Sequence, residues 1–262
     1  MIKLKKSLGQ NFLIDDNIIN KITEITEIKE KNVLEVGPGS GNLTNKILEK
    51  KPNTLIVIEK DDSLANELKN KYDERINVIN DDILRIDETQ LNKKKLIVFG
   101  NLPYNISTEI LCKWILNIHE DNFWFECLIL MFQKEVADRI IAKFNTKNYG
   151  RLSILANWKL NVSKIMDIGP SCFMPKPKID SSLLFFEPKK NFYRLKDPKI
   201  LENITRIFFM HRRKMVKKPY NQFFNGREDI ALKLGIDLNL RPQNLNFETF
   251  YKLAEEYENL RG

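Results

Sequence analysis

The sequence has few residues of the kinds that build metal sites or disulfide frameworks. Its 262 residues include three cysteines and two histidines. Cys112, Cys127 and Cys172 are widely spaced and odd in number, which argues against a disulfide framework or a zinc site and favours three buried thiols. With His119 and His211 as its histidines, the chain is predicted to hold no metal.

The chain also lacks a long apolar stretch. No run reaches the roughly 18 apolar residues of a membrane span, and none suited to a signal peptide follows Met1–Lys6. We therefore expect a cytoplasmic protein that does not contact a membrane. Hydrophobic residues make up 42% and charged residues 30% of the chain, a composition that excludes a largely disordered protein.

Acidic residues are fewer than basic residues in this chain. The 35 Asp and Glu face 43 Lys and Arg, which gives a formal net charge of +8. Such an excess favours a polyanionic partner, since neutralised phosphates release their counterions. Basic proteins without a nucleic-acid partner are nevertheless common, so charge alone leaves both alternatives open.

Short apolar runs alternate with segments of helical period. The runs lie at 33–36, 55–58, 76–79, 96–99 and 128–131, and the candidate helices lie near 42–50, 61–72, 107–118 and 133–143. This alternation predicts an α/β fold with a doubly wound parallel sheet. A linker is predicted at 188–194, and the stretch from about 198 to 262 has the pattern of short helices without strands.

A glycine-rich turn follows the first strand, in the segment Glu35–Thr44. Glycines at such a turn let the backbone approach a nucleotide-like cofactor at the strand ends of the sheet. The dinucleotide pattern G-x-G-x-x-G fits poorly because position 42 is Asn, whereas Gly37, Gly39 and Gly41 form G-x-G-x-G. That pattern resembles the loop that binds S-adenosylmethionine, although a plain strand-to-helix turn has the same signature.

Acidic residues end the next two strands. Glu59 lies 22 residues after Gly37, where an acid can accept hydrogen bonds from ribose hydroxyls. The third strand runs into Asp81-Asp82-Ile83, where a carboxylate can bind an adenine amino group and an apolar neighbour can cover the ring. Each acid alone could be a solvated strand end, but together with the glycine turn they point to one cofactor site.

The fourth strand leads into Gly100-Asn101-Leu102-Pro103-Tyr104. An adenine amino nitrogen is a weak nucleophile because its lone pair is delocalised into the ring. The Asn101 side-chain oxygen and the Pro103 carbonyl can accept its two hydrogens, and Tyr104 can stack on the base. We therefore predict amino methylation at this motif, although a plain post-strand turn is the simpler alternative.

Blocks throughout the chain resemble the ribosomal RNA adenine dimethyltransferase family, which includes bacterial small-subunit enzymes and macrolide-resistance enzymes. The matching blocks occur in the family's order and are Lys5–Leu13, Leu34–Thr44, Glu59, Asp82–Leu84, Asn101–Thr108 and Phe173–Ser181. The resemblance implies a Rossmann-like class I methyltransferase sheet with a small C-terminal all-helical domain. It places the S-adenosylmethionine-binding catalytic domain at 1–188 and a helical RNA- and ribosome-binding domain at 189–262.

The resemblance also implies roles for individual residues. It makes Phe173 a second stacking face, opposite Tyr104, for an adenine extruded from the RNA, although a core aromatic is the ordinary role of such a residue. The residues implied to contact S-adenosyl-L-methionine are Asn11, Leu13, Gly37, Glu59, Asp82 and Asn101.

Three segments resemble the small-subunit branch of the family. They are Lys147–Ser153, Phe209–Lys214 and Leu240–Leu245. The implied substrates are two adjacent adenosines in a hairpin loop near the 3′ end of small-subunit ribosomal RNA, met on the maturing subunit by a monomeric enzyme. The residues expected to bind RNA are Lys147, Arg151, Arg212, Arg213 and Lys214, although the last three could instead form a solvated helix face.

Several alternatives remain open at this point. One is a macrolide-resistance type enzyme acting on large-subunit RNA, and another is a DNA adenine methyltransferase. A non-catalytic ribosome assembly factor or a transcription-factor relative could keep the fold without the activity. The intact Asn101–Tyr104 motif and glycine turn weigh against lost catalysis.

Overall fold

The structure, a computed structural model, describes residues 10–118 and 122–261. Lys5–Gly9 of the first motif block and His119 lie outside the described residues. The chain forms two compact units, each discontinuous in sequence. Of the described residues, the first unit contains 10–113, 122–137 and 163–188, and the second contains 114–118, 138–162 and 189–261.

The first unit is built on a mixed β-sheet. The strands of the chain are β1 (Phe12–Leu13), β2 (Asn32–Val36), β3 (Thr54–Ile58), β4 (Asn77–Ile79), β5 (Leu96–Gly100), β6 (Phe125–Gln133), β7 (Leu160–Ile168), β8 (Phe173–Met174) and β9 (Ser181–Pro188). Within the described ranges, the main sheet has the order β4-β3-β2-β5-β6-β9-β7, and β1 pairs with β8 separately. Neighbouring strands from β4 to β6 are parallel, whereas β9 is antiparallel to β6.

All five predicted apolar runs are strands, which confirms the α/β fold class. The five predicted strands form the parallel part of the sheet, and two strands that were not predicted extend it at one edge, where β9 is antiparallel to β6 and β7 follows it. The sequence pattern missed β7 because most of its side chains are at least partly exposed, so it contains no continuous apolar run.

The helices predicted near 42–50, 61–72, 107–118 and 133–143 begin and end within three residues of these bounds, whereas those at 16–23 and 151–159 were not predicted. The described residues form ten α-helices. They are α1 (Asp16–Thr23), α2 (Asn42–Glu49), α3 (Asp62–Tyr72), α4 (Ser107–Leu116), α5 (Lys134–Ile140), α6 (Arg151–Lys159), α7 (Pro198–Met210), α8 (Lys217–Phe224), α9 (Glu228–Lys233) and α10 (Phe247–Arg261). Asp61 caps α3 by accepting hydrogen bonds from the N–H groups of Ser63 and Leu64.

The register of the parallel strands brings the predicted motifs to one edge of the sheet. Val36 of β2 pairs with Ile58 of β3 and with Gly100 of β5. The residues that follow them, Gly37, Glu59 and Asn101, therefore leave the sheet side by side. In open α/β sheets this carboxyl edge is where ligands bind.

The second unit is helical and has an aromatic core. The ring of Phe208 in α7 packs edge-on against Phe250 of α10 at 5.6 Å, and Tyr149 contacts Phe209 and Phe247. Residues 138–162 group with 189–261 in this unit. The functional domain limits of 1–188 and 189–262 stay a prediction, and the compact units do not follow them, since packing joins segments that are distant in sequence.

No helix in residues 10–118 and 122–261 has both the length and the apolar composition needed to cross a membrane. Of the cysteines, Cys112 and Cys127 are buried as expected, whereas Cys172 is partly exposed.

Candidate active site

The loop between β2 and α2 requires glycine at two positions. Gly39 and Gly41 have positive φ angles of +56° and +79°. A Cβ atom on Gly39 would lie 2.4 Å from the ring of Phe12, and one on Gly41 would lie 2.9 Å from the hydroxyl of Tyr72. The loop is therefore a close-packed backbone turn that no larger side chain fits.

Glu59, after β3, holds this loop. Its Oε2 accepts a hydrogen bond from the Gly39 N–H at 3.2 Å, and its Oε1 accepts one from the Asp61 N–H at 2.9 Å. Burial raises the pKa of Glu59, although these two N–H groups oppose the rise. Each carboxylate oxygen can accept a second hydrogen bond, so Glu59 suits the hydroxyls of a ribose.

The segment after β4 forms another wall of the site. The Asp82 carboxylate accepts hydrogen bonds from Lys60 Nζ at 2.6 Å and from the Leu84 N–H at 3.0 Å. Partial burial acts to raise the pKa of Asp82, but these two donors outweigh it and the pKa lies below its usual value. Ile83 is buried, with 5% of its surface exposed, and supplies an apolar surface beside the carboxylate.

A lysine that the sequence reasoning missed anchors this wall. Lys113 of α4 donates hydrogen bonds to the Ile83 carbonyl at 2.9 Å, to the Ile86 carbonyl and to the Glu88 carboxylate at 2.6 Å. Glu88 is itself buried. Because α4 directly follows the Asn101–Tyr104 motif, one helix connects that turn to the wall beneath Ile83.

Glu35 of β2 is a second residue without a role assigned from sequence. It is 2% exposed and accepts a hydrogen bond from the Thr44 hydroxyl at 2.6 Å. Burial raises the pKa of Glu35 to about 8, so the carboxyl is mostly protonated at neutral pH. The signal in the sequence was a single acidic residue inside an otherwise apolar strand.

Asn101 is oriented by the chain's N-terminal segment. Its Nδ2 donates a hydrogen bond to the Asn11 carbonyl at 2.8 Å, which leaves Oδ1 to accept a hydrogen bond from a ligand. The Pro103 carbonyl accepts the Ile106 N–H at 3.1 Å and retains a second lone pair. Both acceptors that the sequence predicted are thus present in one turn.

The ring of Tyr104 is fixed through its hydroxyl. The Tyr104 Oη lies 2.5 Å from Ser181 Oγ at the start of β9. Burial raises the pKa of Tyr104, and the hydrogen bond with Ser181 opposes the rise. A ring held at its hydroxyl end presents a fixed face, which is the property required of a stacking platform.

One cavity of the first unit brings most of the predicted catalytic and cofactor-binding residues together. Its lining includes seven of them, which are Asn11, Gly37, Glu59, Asp82, Asn101, Pro103 and Tyr104. Gln10, Phe12, Lys60, Asp81 and Ile83 also line it. Carboxylates, backbone groups and apolar side chains converge here as in a nucleoside-binding pocket.

Leu13 and Phe173 lie outside this lining because their side chains face the hydrophobic core, whereas Phe12 of the same β1–β8 pair lines the cavity. Leu13 pairs with Phe173 in register, and their side chains are 5% and 2% exposed within the hydrophobic core. The next residue, Met174, points outward and is 57% exposed, as strand alternation requires. In this structure Phe173 is a core aromatic, and its role as a stacking face stays a prediction.

The predicted RNA-binding residues divide into two groups. Lys147, Arg213 and Lys214 are exposed. Arg151 instead forms an ion pair with Glu202 at 2.6 Å, and Arg212 donates hydrogen bonds to the Lys147 carbonyl at 2.6 Å and to Gln243. These two arginines hold the fold together in the second unit, so their binding to RNA stays a prediction.

Clusters suited to a metal are absent from the described ranges, where no three His, Cys, Asp or Glu side chains lie close enough to share an ion. The polar and apolar groups of the cavity fit an adenosine-type cofactor. Glu59 suits a ribose, Asp82 and Ile83 suit an adenine, and the tight glycine turn suits close approach by the remainder of the ligand.

The mixed sheet with its parallel strands β4 to β6, the glycine turn and the strand-end carboxylates define an α/β methyltransferase of class I. The sequence matches the family model described as ribosomal RNA adenine dimethylase over residues 1–259. The chain belongs to this family.

Curated relatives cover almost the whole chain. A protein of Pelagibacter ubique named ribosomal RNA small subunit methyltransferase A is 66% identical over 261 residues, covering 100% of this chain and 99% of the relative. A protein of the same name from a Wolbachia of Drosophila simulans is 39% identical over 262 residues, covering 98% and 95%.

Solved structures share the fold. A dimethyladenosine transferase from Plasmodium falciparum has a TM-score of 0.76 at 27% identity, covering 95% of this chain and 98% of that one. A 23S ribosomal RNA methyltransferase has a TM-score of 0.67 at 22% identity, covering 94% of this chain and 99% of that one, which establishes likeness of fold alone.

We expect Glu59→Ala to weaken the binding of S-adenosylmethionine by about 1–3 kcal/mol, because it leaves ribose hydroxyls and the Gly39 and Asp61 N–H groups without their acceptor. Isothermal titration calorimetry measures the change. Glu67→Ala, which removes an exposed carboxylate from α3, is the matched control. Unchanged affinity in Glu59→Ala would refute the assignment.

Proposed function

We propose that the chain dimethylates the N6 amino groups of two adjacent adenosines in a hairpin loop near the 3′ end of small-subunit (16S) ribosomal RNA. S-adenosylmethionine is its methyl donor. The observation that carries the proposal is that the Asn101–Tyr104 turn opens into the same cavity as Glu59, Asp82 and the glycine loop. Membership of the ribosomal RNA adenine dimethylase family supports the same activity.

The acceptors of the turn account for the activation of the amine. When bound, S-adenosylmethionine supplies an electrophilic methyl group. Asn101 Oδ1 and the Pro103 carbonyl each accept one N–H of the adenine amino group, which favours a pyramidal nitrogen and directs its lone pair toward the cavity. On that side the nitrogen lone pair would form a bond to the methyl carbon as the methyl–sulfur bond breaks and its electron pair goes to the sulfur, leaving S-adenosylhomocysteine, and the nitrogen would release one proton to solvent.

The base must leave the RNA stack to reach this turn. The chemistry takes place inside a cavity, and an amino group in a helix is inaccessible to it. Tyr104, held by Ser181, supplies one stacking face for the extruded adenine. A second face from Phe173 requires its buried ring to become accessible, so Tyr104 carries the stacking part of the proposal.

Similarity favours the small-subunit substrate over the large-subunit alternative. The relatives at 66% and 39% identity carry the small-subunit name, whereas the 23S enzyme shares the fold at 22% identity. The maturing small subunit is accordingly the proposed partner, which makes the cytoplasm the proposed location. We further propose that the enzyme acts as a monomer and needs no metal ion.

The substrate assay compares undermethylated small subunits, large subunits and DNA, each with labelled S-adenosylmethionine. We expect dimethyladenosine in small-subunit RNA alone, identified by mass, with assembled particles preferred over short oligonucleotides. Label confined to large-subunit RNA would favour the resistance-type activity, and label in DNA would overturn the RNA substrate. Cofactor binding without transfer to any substrate would favour an assembly factor.

We expect Arg213→Ala/Lys214→Ala to weaken RNA binding and to flatten its dependence on salt, because both side chains are exposed and able to reach phosphates. Removing one cation that neutralises a phosphate lowers the slope by about one. Arg212→Ala should in addition lower the melting temperature, because Arg212 holds the Lys147 carbonyl and Gln243.

The control for charge is Lys93→Ala/Lys94→Ala, which removes two exposed lysines from another loop. Filter binding at several salt concentrations and thermal melting give the two readouts. An unchanged salt slope in Arg213→Ala/Lys214→Ala would make this run a solvated surface.

A further inference from the structure

We propose that Phe144 stacks on an unpaired base of the bound RNA, on a basic platform formed by residues 143–147, 211–214 and 241–244. The inference rests on the proposed function, since it takes ribosomal RNA as the ligand. It adds a contact site in the second unit that depends on one aromatic side chain.

Phe144 lies in the loop between α5 and α6 and is 49% exposed. Both neighbouring residues, Lys143 and Asn145, are exposed as well. Single exposed apolar residues are common on protein surfaces and carry no meaning alone. What separates Phe144 from that background is the rigidity of its loop and the charge around it.

Hydrogen bonds from two other turns fix the loop. Asn145 has a left-handed φ of 64°, its N–H donates to the Gln243 carbonyl at 2.9 Å, and its Oδ1 accepts a hydrogen bond from Asn244 at 2.8 Å. Arg212 donates to the carbonyls of Lys147 at 2.6 Å and Thr146 at 3.4 Å.

A further hydrogen bond closes the loop on itself, from the Thr146 hydroxyl to the Lys143 carbonyl at 2.6 Å. A loop held from this many directions cannot easily fold its aromatic ring into a core. The ring is therefore presented to solvent on a fixed backbone, which lowers the entropy cost when a ligand stacks on it.

The three segments of the platform carry charge of one sign. Residues 143–147, 211–214 and 241–244 contain six Lys and Arg and no Asp or Glu. Of these, Lys143, Lys147, Arg213, Lys214 and Arg241 are exposed. An aromatic face surrounded by cations and amides is the arrangement that binds single-stranded RNA, with the ring on a base and the cations on phosphates.

The same features disfavour other partners. An anionic membrane surface is bound by the continuous apolar face of an amphipathic helix, whereas Phe144 lies in a loop. The exposed apolar residues that flank the platform segments, Met210, Met215 and Leu240, do not share a helix. An acidic protein segment would use the charges but would not require a flat aromatic ring. Unpaired RNA can contact the basic side chains through its phosphates and the aromatic ring through a base. Such a stacking contact tolerates any base.

The test measures binding to deproteinised 16S ribosomal RNA and to undermethylated small subunits, using the full-length enzyme. We expect Phe144→Ala to weaken both affinities about tenfold without changing the salt slope or the affinity for S-adenosylmethionine. Phe144→Trp should restore binding, and Phe144→Leu should not. Lys143→Ala should lower the salt slope by about one.

Leu232→Ala is the matched control, because Leu232 is an apolar residue of α9 that is 81% exposed and follows the acidic pair Glu228 and Asp229. In Phe144→Trp, stacking should also quench the added indole emission when RNA binds, whereas Trp114, Trp124 and Trp158 are buried.

Three results would overturn the proposal. Wild-type affinity in Phe144→Ala would remove the ring from the interface, and full rescue by Phe144→Leu would make the contact apolar without stacking. Weaker binding to particles but unchanged binding to naked RNA would assign the platform to a ribosomal protein. None of these three results contradicts the proposed function if the wild-type enzyme dimethylates small subunits. The proposed function itself would fail only if the wild-type enzyme did not methylate them.

Discussion

Asn101→Ala should reduce methyl transfer by a factor on the order of 10² or more while the protein stays folded. The substitution removes Oδ1, the acceptor that orients the reacting amine. It also removes the hydrogen bond from Nδ2 to the Asn11 carbonyl, which orients the N-terminal segment lining the cofactor cavity. Single-turnover kinetics at saturating S-adenosylmethionine measure the chemical step, and calorimetry measures cofactor affinity separately.

One further variant separates the acceptor and donor roles of Asn101, and a second variant serves as a control. Asn101→Asp keeps an acceptor oxygen but loses the donor to Asn11, so we expect it to retain more transfer activity than Asn101→Ala. Asn105→Ala changes an exposed residue that also lines the cavity, and it should leave the chemical rate close to wild type. A near-normal single-turnover rate in Asn101→Ala would exclude its role in amine orientation.

Glu35→Gln should stabilise the protein at alkaline pH by an amount on the order of a few kcal/mol. The pKa of Glu35 rises from 4.5 to about 8 on folding, because burial disfavours the carboxylate. The folded state therefore binds this proton more tightly than the unfolded chain does. The stabilisation it provides is complete below pH 4.5 and is lost progressively until the pH exceeds about 8.

The measurement is the free energy of unfolding in urea, for wild type and Glu35→Gln, from about pH 5 to about pH 9. The glutamine is neutral, similar in shape and able to accept the Thr44 hydroxyl. The difference between the two proteins should grow with pH and level off above about 8. Glu49→Gln, an exposed position on α2, should show no such growth. A difference that does not vary with pH would mean that Glu35 is ionised in the folded protein.

Much of the active site could be predicted because its residues follow strand ends. Gly37, Glu59 and Asn101 each come directly after a buried apolar strand, and parallel strands deliver their carboxyl ends to one edge. The sequence pattern was therefore enough to predict that these three residues lie close together. Four of the five apolar runs were equally readable, because strands buried on both faces are continuous in hydrophobicity, whereas β4 lies at the sheet edge and is partly exposed.

The sequence alone could not predict the role of a residue when that role depends on which residues pack against it. Phe173 belongs to a family motif, yet the β1–β8 pair turns its ring into the core. Arg151 and Arg212 were grouped with the exposed basic residues, although internal acceptors hold both. A basic side chain that binds RNA and one that fastens a loop have the same appearance in a sequence.

The sequence by itself determined the α/β class and the glycine turn after β2, and it predicted the chemistry of the Asn101–Tyr104 turn, because local order along the chain encodes each of them. The tertiary structure alone decided how Lys113 anchors the wall beneath Ile83, how strongly Glu35 holds its proton, and how three turns distant in sequence present Phe144. These depend on burial and on contacts between remote segments, and neither quantity exists until the chain has folded.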